Sequence, residues 1–480
     1  MPTTSNQLPN PHRRQFIVGC SEFIPNQDWR SHKLGHSFWI SWDSNLKISQ
    51  ATDRDGTEWF LLGLAVETTK NIEPKNIILQ LSSSEVINSY ASWAGRWLLI
   101  GQGEIHLDAN GLLGCFYGRN SAGDLWLSSS PVLLSQIISA TAKSDRNLVY
   151  GTGISWYTPP YSGYKDITRL LASQILRFPT GEIIHRPLMP NIEIHRSDEA
   201  TISLVKNALI TALQNLSQQD QPLWLGLTGG YDSRLMLGIA SEAKINLTTF
   251  TRVAGRMSLA DRILPPKLAK ECHISHLFLH KKMPKEQQAR RELVRQHAGS
   301  NVSAGDAEPY IMGVRDSLTG ISFGGHGFAA ASGFHTLYQL PATFSSPREG
   351  AKQIAGLFDE SWKSSAVEGM EKWLNWVQKH SQPHLDWRDR FFLEQRQAGW
   401  LSSKEQVYDL SNLTRFPILN AARTYALLLS ISQSKRENSL VQVAILKQLN
   451  PKLLKYPFNP PDNYFNIWSR LANKARNRVN

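Results

Sequence analysis

The feature that most constrains the fold is a short apolar run that ends in glycines and opens into a helix. Leu223-Trp-Leu-Gly-Leu227 leads into Thr228-Gly229-Gly230-Tyr231-Asp232-Ser233, and helical spacing follows to Ser241. A short apolar run bounded by turn signals reads as a buried strand of a parallel sheet. Glycines then let the backbone approach a ligand closely. The helix behind them turns unpaired N–H groups and the positive end of its dipole toward an anion, which is a recipe for holding phosphate. Thr228 and Ser233 add hydroxyl donors. A carboxylate at Asp232 is out of place beside phosphate unless it binds the magnesium that accompanies a nucleotide. No Gly-Lys-Ser/Thr follows, so this is not the Walker loop.

The surrounding pattern supports that placement. The 480 residues are too many for one core, so two domains are expected. Residues 1–14 are polar and rich in Pro and Asn, and read as a loose tail. From His36 to Arg186 the texture is β, with strands expected at His36–Trp42, Leu46–Ala51, Glu58–Glu67, Trp97–Leu107 and Gly123–Ser128. A helix is expected at Ser130–Gln136, with Pro131 in its first turn. Asn191–Glu199 reads as a linker. Beyond it, a helix at Thr201–Ser217, the Leu223–Leu227 strand, a helix at Ser233–Ser241, and strands at Asn246–Val253, His276–His280 and Gly320–Gly324 alternate. That alternation predicts an open α/β sheet, with a mostly helical region after about residue 350.

Composition narrows the classes further. No apolar run approaches the roughly 20 residues of a membrane span, and Met1–Arg14 has no signal-peptide core, so a cytoplasmic protein is expected. Cys20, Cys115 and Cys272 are few and scattered, which argues for reduced thiols and against zinc. The net charge of +12 is uneven: Arg252–Arg295 holds eleven basic and four acidic residues, and Lys447–Asn480 holds seven and one. Such runs are solvated surface or a means of attracting polyanions such as ATP, an acidic substrate, RNA or an anionic membrane. No RNA-recognition or helix-turn-helix signature accompanies them, which argues against nucleic acid.

The 227–233 run resembles the Ser-Gly-Gly-x-Asp-Ser PP-loop of the N-type ATP pyrophosphatases, and further segments are similar to the asparagine-synthetase-like family within that group. They are Phe250-Thr251-Arg252, Asp261 with Leu268-Ala269 and His276, Gly324-Gly325-His326-Gly327, Phe391–Trp400, Arg415-Phe-Pro-Ile-Leu-Asn420 and Tyr456-Pro-Phe-Asn459. Tyr90–Trp97, Asp108–Tyr117 and Ser128–Pro131 resemble the family's glutaminase-type domain. The resemblance covers about residues 15–460 and is most specific at 227–233. It implies an N-terminal-nucleophile-type α+β sandwich over 15–195. Over 200–480 it implies an adenine-nucleotide-hydrolase-like α/β domain, with a parallel sheet followed by helices.

The implied activity is an ATP-dependent amide ligase that forms AMP and pyrophosphate. It would activate a small-molecule carboxylate for attack by an amine or ammonia, with ATP and Mg2+ as cofactors; a homodimer is left open. ATP would contact Leu227–Ser233, Thr251, Gly324, Gly325 and Gly327, and Asp232 would bind the metal. His326 is the candidate base. Lys447 is the candidate lysine against the adenylate, with Lys452 and Lys455 as competitors. Arg234 either neutralises phosphate or makes a structural ion pair.

Departures from the family pattern set the alternative. Residue 2 is Pro, and Cys20 follows Val18-Gly19 inside the chain, so unless the chain is cut before Cys20 no cysteine is expected to carry the free amine that serves such glutaminases as base. The N-terminal domain is therefore expected to be an inactive scaffold. Ala329 and Ala330 stand where the second glycine loop usually has Asp and Glu, and Asn420 replaces an Asp. These losses support a second reading, a non-catalytic homologue that acts as a binding or partner protein.

Overall fold

The computed structural model describes residues 8–35, 38–142, 156–190, 197–253, 257–282, 284–299, 302–331, 340–355 and 363–465. Alternating apolar residues in the N-terminal half build two six-stranded antiparallel sheets. The first runs, in spatial order, Thr168–Arg169, Phe116–Arg119, Leu125–Ser128, Phe16–Gly19, Phe38–Asp43 and Trp29–Leu34. The second runs Ile183–His185, Gln174–Arg177, Glu104–Leu107, Trp93–Gly101, Glu58–Glu67 and Ile48–Thr52.

Because side chains alternate along a strand, each sheet has two apolar faces to cover. The inner faces meet through Phe16, Val18, Ile40, Phe60, Leu62 and Leu98. On the outer face of the second sheet, Trp59, Leu61, Trp97 and Leu99 pack with Ile78 and Val86 of two short helices, Pro74–Ile78 and Ser83–Ser89. On the first, Ile17, Phe116 and Trp126 pack with Leu133 and Leu134 of the Pro131–Ile138 helix. The result is a helix–sheet–sheet–helix stack. The single strand expected over Trp97–Leu107 is instead a hairpin. Gln102 and Gly103 both take positive φ, 53° and 71°, and that pair of angles makes the tight primed turn that suits the strand twist.

The C-terminal half forms a five-stranded parallel sheet in the order Ser275–Leu279, Thr248–Arg252, Leu223–Gly226, Gly320–Phe323, Leu413–Phe416. The last strand falls in the region expected to be mostly helical. Asp198 and Glu199, expected in the linker, already belong to the Asp198–Ser217 helix, and 191–196 lie outside the described residues. Their acidic side chains sit in the first turn, where the helix dipole favours them.

The halves are joined by buried polar contacts. Arg96, on the Trp93–Gly101 strand, donates to both oxygens of Asp409 at 2.6 and 2.8 Å. Asn420 Nδ2 donates to the Gly95 carbonyl and to Asp108 Oδ1, each at 2.7 Å. Asp108 also accepts from the Leu112 amide at 2.9 Å. Asn420, expected to matter as a lost acid of the site, is thus an interface donor; a carboxylate there would face another carboxylate. Residues 8–14 are also held. Arg13 donates to the Ser411 carbonyl at 3.1 Å, and the His12 amide donates to His297 Nδ1 at 3.1 Å.

Asn420→Asp should therefore destabilise the chain by about 3–5 kcal/mol, the usual cost of an uncompensated buried charge. Asn420→Ala should cost only about 1–3 kcal/mol, for the lost donor. Urea unfolding of the two variants checks the order; equal stability of Asn420→Asp and wild type would contradict it.

Candidate functional site

The parallel strands occur in chain order 3-2-1-4-5, so the direction of winding reverses between Leu223–Gly226 and Gly320–Phe323. In open α/β sheets the crevice for a ligand opens at that reversal, past the carboxyl ends of the strands. A cleft of about 490 Å3 lies there. Its lining includes Gly226 and Ser322 from the two central strands, Thr228 and Gly230–Ser233 from the first glycine loop, and Gly324–His326 and Ala329 from the second. Phe250, Arg315, Leu401, Glu405, Arg415 and Asn459 are also part of its walls.

The two loops touch. A Cβ added to Gly325 would sit 2.5 Å from Asp232 Cβ, so glycine is required for this approach. The first loop is internally braced. The Thr228 amide donates to Ser233 Oγ at 3.0 Å, and the Gly229 amide to Asp261 Oδ1 at 2.7 Å. The Gly230 amide donates to Thr228 Oγ1 at 3.3 Å. The first-turn amides of the 12-residue Tyr231–Glu242 helix, which lack acceptors within the helix, therefore remain the loop's main donors to an anion.

Asp232 is half-buried. Gln442 Nε2 donates to its Oδ1 at 3.0 Å. Burial pushes its pKa up to about 6, against the opposing pull of Gln442. Among the described residues no group of three or more His, Cys, Asp or Glu is arranged to hold a metal. One carboxylate suits magnesium that arrives on a nucleotide, with phosphates and water supplying the other ligands. It does not suit a resident metal centre.

His326 lines the cleft. Burial, then the charge of Arg415, hold its imidazole down to about 3, opposed in part by Glu405. The imidazole is exposed to the cleft and, in the free protein, neutral and weakly basic. Glu405 and Arg415 form a buried pair, with Arg415 Nε donating to both carboxylate oxygens at 2.8 and 2.6 Å.

Other expected residues lie elsewhere. Thr251 is buried and donates to the Leu227 carbonyl at 2.6 Å, so its hydroxyl ties two strands together. Lys447 is exposed on the Leu440–Leu449 helix, because Val441, Ile445 and Leu446 take the buried face. Lys447, Lys452 and Lys455 are not among the cleft's lining residues. Arg234 is fully buried and is not among the cleft's lining residues. It donates to the carbonyls of Gly229, Tyr456 and Pro457 at 2.8, 2.6 and 2.7 Å and stacks on Phe458. Tyr231 stacks on the same ring at 3.9 Å. Leu227 and Gly229 also belong to the loop, and Gly327 takes a positive φ of 114°.

The sequence reading missed Arg315 and Glu405 as cleft groups and Gln442 as the partner of Asp232. No motif marks them, and each reaches the site from an element distant in the chain. Ala329 and Ala330 also separate. Ala329 lines the cleft, whereas Ala330 is 2% exposed and packs in the main core.

The pKa of Asp232 gives a test. A raised carboxylate pKa favours the fold below the ordinary value of 3.8, and that contribution is lost as pH rises through about 6. Asp232→Asn should remove this pH-dependent loss and flatten the melting temperature between pH 4 and 7. A parallel shift of both proteins would contradict the assignment.

No family model and no curated protein matches the chain. Solved structures that match include an allosteric regulatory enzyme of purine biosynthesis, at 10% identity over 60% of this chain and 73% of that chain, with a TM-score of 0.24. NMN synthetase from Francisella tularensis matches at 14% identity over 50% of this chain and 97% of that chain, with a TM-score of 0.21. Likenesses this loose establish neither a shared fold nor a shared activity.

Proposed function

We propose that the chain is an ATP-dependent carbon–nitrogen ligase that forms AMP and pyrophosphate, with MgATP bound between the two glycine loops. The observation that carries this reading is the closure of Gly325 on Asp232 at the reversal point of the parallel sheet. Helix-terminal amides there would take phosphate oxygens, and Asp232 would contact magnesium brought by the nucleotide. A carboxylate positioned in the cleft would attack the α-phosphorus. An amine or ammonia would then displace AMP from the acyl-adenylate. His326 would take a proton from the amine only after a bound anion offsets Arg415, since the neutral imidazole is otherwise a weak base.

The N-terminal stack would serve as a glutaminase-type scaffold without its nucleophile. Cys20 is exposed at the end of the Phe16–Gly19 strand, where partial burial and Asp124 push its thiol up, the opposite of activation.

A second reading, a non-catalytic binding protein, is favoured by one observation: among the described cleft-lining residues only Asp232 offers a carboxylate not already spent on an arginine.

Carboxylate-dependent exchange of labelled pyrophosphate into ATP decides between them. The ligase reading expects exchange with at least one acid and a high magnesium requirement, lowered in Ala329→Asp, where a carboxylate would enter the cleft. Ala330→Glu should instead destabilise, because its Cβ packs in the core. His326→Ala should lower kcat more than it raises KM for ATP. ATP binding without exchange for any acid, in wild type and Ala329→Asp alike, favours the binding protein.

A further inference from the structure

The parallel sheet ends on one side in an unprotected strand, Ser275–Leu279. The Leu279 carbonyl accepts from the Val253 amide at 2.7 Å, so Ser275, Leu277 and Leu279 turn their backbone groups toward the neighbouring Thr248–Arg252 strand. His276 and Phe278 then direct their N–H and C=O groups outward, and among the described residues no strand pairs with them there. Natural edge strands are commonly blunted by a lysine, a proline or a bulge; this one reads Ser-His-Leu-Phe-Leu. Leu277 and Phe278 are 44% and 39% exposed, and successive side chains of a strand point to opposite faces. Each face of the edge therefore carries one exposed apolar group. Leu277 shares its face with Phe250, and Phe278, packed edge-on to His276, shares its face with Thr251.

The surrounding charge is mostly of one sign. Between positions 267 and 286 stand five lysines and two glutamates. Lys267 and Lys270 are exposed on the Leu259–Glu271 helix that leads into the strand, and Lys281, Lys282 and Lys285 are exposed just after it. Lys281 pairs with Glu308 at 2.5 Å; the other four make no ion pair among the described residues.

We propose that the Ser275–Leu279 edge is a docking site for an extended acidic segment of another polypeptide, which adds to the sheet as a sixth strand. Main-chain bonds to His276 and Phe278 would hold it. Apolar side chains at alternate positions would cover Leu277 on one face and Phe278 on the other, and carboxylates would meet the lysines at the two ends. A second copy of this chain fits less well. Two-fold antiparallel pairing would set Lys281 and Lys282 of each copy against the Lys270–His273 end of the other, like charge against like. Nucleic acid would match the charge but neither the row of backbone donors and acceptors nor the apolar faces.

Fluorescence anisotropy on the full chain tests this with a short labelled peptide of alternating glutamate and valine. The controls are the same peptide with lysine for glutamate, the acidic peptide with alternate amides N-methylated, and oligouridylate. The acidic peptide should bind, more weakly as salt rises, and should slow amide exchange at His276 and Phe278. N-methylation should weaken binding at least about tenfold, and the lysine peptide should not bind. Leu277→Glu and Phe278→Thr should each weaken binding at least about tenfold, the effect of losing an apolar anchor, with the melting temperature and MgATP affinity unchanged. No binding of the acidic peptide, equal binding of its N-methylated form, equal binding by Leu277→Glu, or binding of oligouridylate alone would overturn the proposal. So would a wild-type dimer in sedimentation velocity that Leu277→Glu dissociates, which would assign the edge to a second copy.

Discussion

The placement of the cleft depends on the buried ion pair between Arg96 and Asp409. Arg96 belongs to the central strand of an N-terminal sheet, and Asp409 caps the Ser402–Tyr408 helix of the C-terminal half. That helix carries Glu405, which fixes Arg415, and Tyr408, against which both cleft arginines lie. A two-point pair shut away from water has one geometry, and losing either member would leave a buried charge uncompensated. The N-terminal half therefore shapes the cleft wall although, among the described residues, none of its side chains lines it.

The central strands and the first loop were legible because their signals are local. An apolar run, two glycines and a helical pattern occupy consecutive residues; strands at 223–226, 248–252 and 320–323 fall within the ranges expected from the sequence, and the strand at 275–279 begins one residue before its expected range. What was not legible depends on contacts between distant residues. Asn420 is an amide because Asp108, 312 positions away, already supplies the carboxylate. Arg234 follows the loop directly but turns to carbonyls at 456 and 457. Lys447 is the candidate that the family resemblance implies for a lysine near the C-terminus, whereas the helix that carries it turns that position to solvent. The Leu413–Phe416 strand hid because four residues carry no periodicity of their own; the neighbouring Gly320–Phe323 strand pairs with it and defines it.

The two alanines of the second loop have different physical meanings, although they read alike in the sequence. Ala329 opens onto the cleft, so an acid there would be sterically accessible. Ala330 is locked in the core, and its carbonyl accepts from Arg436 at 3.1 Å, so an acid there would have to be buried. With internal partners already satisfying three amides of the first loop, nucleotide affinity would depend on the helix end, Asp232 and the ion that accompanies the phosphates.

Hydrogen–deuterium exchange with and without MgATP tests most directly whether the nucleotide sits between the loops. Protection should appear together in peptides covering 227–233 and 323–330, with the N-terminal sheets unchanged. Protection of neither segment at millimolar MgATP, or protection confined to one of them, would contradict binding at the meeting point of the two loops.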